Sequence, residues 1–181
     1  MSITMMKTSL LAAAVLVAGT ALAADNEQIE RGRYLATAGD CVACHTAPKG
    51  KSMAGGLALA SPMGAIYSTN ITPSKSHGIG NYTLEQFTAA LRHGKRADGA
   101  NLYPAMPYEN YRFMKEGDIR ALYDYLQTEV KPVKNAVEAT SLSFPFNMRF
   151  GIRAWNWLAL SGEADFKPTA GDDQMIRGQY L

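Results

Sequence analysis

The two cysteines of this 181-residue chain stand three positions apart, and a histidine follows the second: Cys41-Val42-Ala43-Cys44-His45. That spacing constrains the fold more than any other feature. Two thiols so placed can each add to a vinyl group of one haem, and the adjacent imidazole then lies beneath the iron. Such a chain must fold around a porphyrin that it holds covalently, and the small residues between the cysteines leave room for the ring edge. His45 would give the iron one axial nitrogen from a neutral imidazole. Other uses of the pair fit less well. A structural zinc site needs about four ligands, and no second Cys or His pair stands at suitable spacing. A thioredoxin-type dithiol expects a βαβ setting that this chain lacks. A disulfide-stapled exported chain would carry more cysteines, spread over longer loops.

The N-terminus points to export. Lys7 precedes an apolar run from Leu10 to Val17, then Ala21-Leu22-Ala23, and Asp25 follows at once. A positive start, a short apolar run and a small-x-small cleavage site describe a secretory signal peptide over residues 1–23, which places the mature chain in the periplasm. The run is short for an uncleaved membrane anchor. The formal net charge of +2 is small. Phosphate binding needs a dense basic face, so nucleic acid is not expected as a partner.

The remaining pattern is helical. Residues 26–40 read as a first helix with Ile29, Gly32, Arg33 and Ala36 on one face. A glycine inside a helix, unfavourable by about 1 kcal/mol, marks close packing. Residues 46–82, rich in Gly, Pro, Ser, Thr and Asn, read as ordered loop around a ligand, because Ile66, Tyr67 and Ile71 are too apolar for a free linker. Thr83-Leu84-Glu85-Gln86 forms a capping box. Leu84, Phe87 and Leu91 then recur at helical spacing until Gly94. A third helix is expected from Glu116 to Thr128, with Ile119, Leu122, Tyr123 and Leu126 on its apolar face. No segment alternates enough to demand a strand, so the class expected is all-α. Residues 146–160, if helical, put Arg149, Arg153 and Asn156 on one narrow face among Phe146, Met148, Phe150, Ile152, Trp155, Trp157 and Leu158. So wide an apolar surface is expected to bury against the domain's own flank, ahead of a partner subunit or a membrane surface.

A six-coordinate electron carrier needs a second strong-field ligand, and methionine is the usual partner of histidine. Met106 stands out in Tyr103-Pro104-Ala105-Met106-Pro107-Tyr108, where prolines stiffen the loop. Met63, in Ser61-Pro62-Met63-Gly64, is the runner-up, while Met53 and Met114 lie in less constrained contexts. His77 and His93 read as surface residues.

With these residues in view, the mature chain resembles the cytochrome c subunit of membrane-bound bacterial dehydrogenases that oxidise alcohols, aldehydes, gluconate or sorbitol. The stretches that carry the resemblance are RGRYLATAGDCVACHTAP, GAIYSTNITP, GIGNYTLEQFTAALRHGKRADGANLYPAMPY, DIRALYDYL and FPFNMRFGIRAWNWL. The resemblance implies the class I cytochrome c fold, three to five helices around one haem c, with first and last core helices crossing near Gly32 and Tyr123. It also implies His45 and Met106 as axial ligands, and a segment from Ser68 to Pro73 wrapping the haem near its propionates. The expected haem surroundings are Tyr67, Thr69, Asn70, Ile71, Tyr103, Pro104, Pro107 and Tyr108.

The resulting division is a signal peptide at 1–23, a cytochrome c domain at 24–130, and an apolar, Trp-containing helical extension at 131–170. A linker at 171–181 ends in Arg177-Gly178-Gln179-Tyr180-Leu181, which repeats Arg31-Gly32-Arg33-Tyr34-Leu35 and reads as the start of a further haem domain cut short. The resembled subunits carry three haem domains in tandem. The repeat therefore favours a truncated first domain over a natural single-haem relative. No catalytic residue is expected, and the chain is no enzyme on its own. A dehydrogenase would donate single electrons to it, and a further haem domain, ubiquinone or an oxidase would accept them, with peripheral membrane association. The competing use of such a haem is gas binding or peroxidase chemistry, which needs an open iron position. The carbonyl expected to hold the ring N–H of His45 lies in the Ala54 to Leu57 segment.

Overall fold

The structure is a computed structural model that describes residues 25–181 apart from Glu163, so the expected signal peptide lies outside the described residues. Helix α1 spans 25–38 and buries Leu35 and Ala36. The chain then turns through Gly39 and Asp40, the latter left-handed at φ 48°, into the single-turn α2 (Cys41–Cys44). A non-regular stretch leads to a small hairpin, β1 (Ala58–Ser61) and β2 (Gly64–Tyr67), antiparallel and joined by Pro62-Met63. Helix α3 (Leu84–His93) follows, then the one-turn α4 (Tyr108–Tyr111) and α5 (Glu116–Thr128). The two-residue β3 (Ser141–Leu142) returns to pair with β2, giving sheet order β1-β2-β3. Helices α6 (Gly151–Ala159) and α7 (Asp173–Tyr180) complete the chain. Among the described residues no helix is long and apolar enough to cross a membrane.

The helical reading holds for the core, and the strands correct it. The hairpin escaped detection because each strand is only four residues long and dominated by small side chains. The strand that completes the sheet, β3, comes from far along the chain, a pairing that no local pattern reports. Gly64, at φ +124°, faces the Ser141 carbonyl so closely that a Cβ would collide with it.

The helices form as their sequences dictate. Thr83 Oγ1 accepts from Gln86 N (3.2 Å) while Gln86 Oε1 accepts from Thr83 N (3.0 Å), closing the capping box, and left-handed Gly94 ends α3. On α5, Ile119, Leu122 and Leu126 point inward and join Ala36, Met53, Ile79, Phe87 and Leu91 in one core. Gly32 lets α1 approach α5 so closely that a Cβ would strike the Ala121 carbonyl and Tyr125. The crossing thus falls on Gly32, with Ala121 and Tyr125 across from it. Tyr123 instead packs on Phe87 (ring centroids 5.5 Å apart) and donates to the Tyr82 carbonyl (2.7 Å).

Helix α6 departs from expectation. Its polar residues Arg149 (just before the first turn) and Asn156 face the protein, and Ile152 is its buried apolar residue. Phe144, Phe146, Phe150, Trp157 and Leu158 are exposed, Trp157 at 77 %. The aromatic face is therefore not packed on the domain's flank. Polar anchors inside, rather than apolar area, hold this helix. Buried Arg112 donates to the carbonyl of Ala159, the last residue of the helix, and to those of Ser161 and Gly162 just past it, which satisfies groups a helix C-terminus leaves unpaired.

Candidate functional site

Cys41 and Cys44, at i and i+3 in α2, share one face of a single turn. They form no disulfide with each other. Burial first, with the Asp40 charge beside it, pushes the Cys41 thiol up to about 11. A redox dithiol works through a lowered thiol pKa, so this environment argues against that chemistry.

His45 follows directly, its backbone N–H donating to Cys41 O (2.9 Å). Its ring Nδ1 lies 2.6 Å from the Thr69 carbonyl oxygen. A carbonyl can only accept, so Nδ1 carries the proton and the Nε2 lone pair is left for a ligand. Burial, only partly offset by this bond, pushes the imidazole pKa down, which favours the neutral form a metal requires. The partner is thus Thr69 and not the Ala54 to Leu57 segment. There the Ala54 carbonyl accepts from the Asn135 side chain (2.8 Å) and that of Leu57 from Ser68 N (3.0 Å).

Cys41, Cys44, His45 and Met106 all line one cavity of about 1220 Å³. Of the expected surroundings, Tyr67, Thr69, Asn70, Ile71, Tyr103 and Pro107 line it too. Pro104 and Tyr108 do not. Pro104 is exposed. Tyr108 is fully buried and turns its hydroxyl to Asn156 Oδ1 (2.7 Å), where it anchors the methionine loop from behind. Asn70 serves as a brace for its own segment. Its Oδ1 accepts from Thr72 N (2.9 Å) and Thr72 Oγ1 (2.7 Å), and its Nδ2 donates to Val133 O (2.8 Å).

The other candidates separate by position. Met63 is exposed on the hairpin turn and Met53 is buried in the core; neither lines the cavity. Met114 lines it alongside Met106. His77 sits at its wall, exposed and 2.8 Å from Ser76 Oγ, while His93 lies outside it. Sequence reading missed Arg149 and the 136–140 strap, which also line the cavity. Both come from the extension, and nothing local to their sequence signals a ligand.

The residues present fit a covalently held haem. Two thiols sit on one helical face and an imidazole has its second nitrogen already committed. A thioether lies in the same cavity, whose walls include apolar Leu35, Ile79, Phe87 and Leu91.

The family model described as cytochrome c matches residues 29–129. The fructose dehydrogenase cytochrome subunit of Gluconobacter japonicus is 53 % identical over 167 residues, covering 90 % of this chain and 34 % of the relative. The alcohol dehydrogenase (quinone) cytochrome c subunit of Gluconacetobacter polyoxogenes is 48 % identical over 175 residues (94 % and 37 %). The gluconate 2-dehydrogenase cytochrome c subunit of Pantoea cypripedii is 44 % identical over 159 residues (87 % and 36 %). The chain spans about a third of the length of these relatives.

Proposed function

Because the chain belongs to the cytochrome c family, we propose that it carries one haem c and relays single electrons as the first haem domain of a dehydrogenase's cytochrome subunit. The observation that carries this reading is the shared cavity, to which Cys41, Cys44, His45 and Met106 all contribute. When bound, the haem supplies a one-electron couple at its iron. The protein's residues do the rest. The Cys41 and Cys44 sulfurs would hold the ring as thioethers, which keeps it from dissociating. Thr69 holds the His45 tautomer and ring orientation, and Met106 would offer the metal a soft sulfur, a donor that raises the potential. With His45 and Met106 both held by the fold, no bond to the metal would need to break as an electron passes. The chain itself has no catalytic role.

The domain division proposed is a signal peptide for export to the periplasm at 1–23, the cytochrome c domain at 24–130, the extension at 131–170, and a linker with the start of a second haem domain at 171–181. The relatives' names support a dehydrogenase as electron donor. The acceptor would be a further haem, ubiquinone or an oxidase at the outer face of the membrane. Stopped-flow mixing of the haem-loaded chain with a reduced dehydrogenase of the fructose, alcohol or gluconate type tests this. Reduction within the dehydrogenase's turnover time is expected; none on that timescale would remove the carrier role.

A further inference from the structure

We propose that Arg149 and Asn156, both contributed by the extension, are positioning residues that clamp the Met106 loop from its two ends; this rests on Met106 as the second axial ligand. The loop has few ties of its own, and just before it Leu102 N donates to Gly94 O (2.7 Å). Prolines at 104 and 107 lack the N–H that would tie it to a neighbour, and within it Met106 N donates to Tyr103 O (3.2 Å) and Tyr108 N to Met106 O (2.8 Å). Each end is gripped from outside. At one end the Arg149 guanidinium lies 4.6 Å from the Tyr103 ring centroid, and its Nη1 donates to the Asn101 carbonyl (2.6 Å). At the other end Asn156 Oδ1 accepts from the hydroxyl of fully buried Tyr108, the residue whose backbone N–H holds the Met106 carbonyl. Asn156 Nδ2 also reaches the His93 carbonyl at 3.4 Å, tying the clamp to the end of α3.

Both clamping residues lie beyond residues 29–129, the part matched to the family model. This also accounts for the orientation of the extension here, which turns Arg149 and Asn156 inward and leaves Arg153 in solvent. Arg112 and Ile152 seat the helix, and Arg149 and Asn156 then reach the loop. A thioether is a soft, neutral donor that an added ligand can displace from ferric iron, so its hold on the metal depends on how rigidly the loop presents it.

The test uses the haem-loaded chain with Arg149→Ala, Asn156→Ala, Met106→Ala and, as a control on the same helix, solvent-exposed Arg153→Ala. The readouts are the methionine-to-iron charge-transfer band of the ferric protein during titration with free imidazole, and the reduction potential. Arg149→Ala and Asn156→Ala are expected to lose the band at roughly tenfold less imidazole than the wild type and to have lower potentials, with Arg153→Ala unchanged. Should either alanine variant fail to fold, Arg149→Lys keeps the charge without the planar stack. Tyr108→Phe likewise keeps the buried ring without its hydroxyl, and both are read the same way. A band that survives in Met106→Ala would overturn the ligand reading and the clamp with it. A band abolished in Met106→Ala but titrating like wild type in both clamp variants, at unchanged potential, would overturn the clamp alone.

Discussion

Asp118 opens α5 with 2 % of its surface exposed, hydrogen-bonded to the Arg31 guanidinium and to the Tyr180 hydroxyl (2.5 Å). Burial alone would push its carboxyl up, but the bonds from Arg31 and Tyr180 outweigh that and hold it below the usual carboxylate range. Burial and the same carboxylate push Tyr180 up to about 12. A carboxyl whose folded pKa is depressed adds stability above its unfolded pKa and loses it as pH falls through the folded value. Asp118→Asn should therefore cost about 1–3 kcal/mol at neutral pH. In thermal melts of the holoprotein the gap to wild type should narrow only below about pH 4. A gap independent of pH would mean that the ionised carboxyl contributes nothing. At this scale the grouping of two thiols and an imidazole at one cavity was legible, because they are written in adjacent positions. The bond between His45 and the Thr69 carbonyl was not, since the two meet only after the intervening chain has folded back.

Helices with complete local signals could be read closely. The boundaries of α5 match the sequence expectation, and α3 begins and ends at its capping box and glycine. The capping bond yields a prediction at this scale. Thr83→Ala should cost about 1 kcal/mol and lower the melting temperature by about 2–4 °C while leaving the haem spectrum intact. An altered spectrum would show that the cap governs the cavity wall as well as the helix. Elements held by distant partners were less legible. The hairpin depends on β3, and α4 is a single turn after a proline. Helix α6 has the amphipathic pattern expected of a buried apolar face, yet docks through its polar residues. Its outward aromatics, Phe150 and Trp157 among them, form the kind of patch that a partner surface covers.

Across the whole molecule, α1 and α5 cross at Gly32, α3 packs beside them, and the cavity opens among them with the attachment turn at its edge. The extension completes that cavity through the 136–140 strap and Arg149. Sequence motifs identified the family, whereas the extension's share in the cavity wall emerged only from the fold. The terminal helix α7 docks back on the haem domain through Tyr180, whose ring also meets Phe166 edge-on. Residues 171–181 therefore touch α5 as they leave the described fold.

One iron porphyrin bonded through both thiols of α2 is what the whole account requires. The direct measurement is extraction of the purified, exported protein, made in a host that matures c-type cytochromes, after denaturation in alkaline pyridine. The pigment should stay with the polypeptide and give the spectrum of a haem whose two vinyl groups have been saturated. Pigment that passes freely into solvent, or a protein that carries none, would contradict the account.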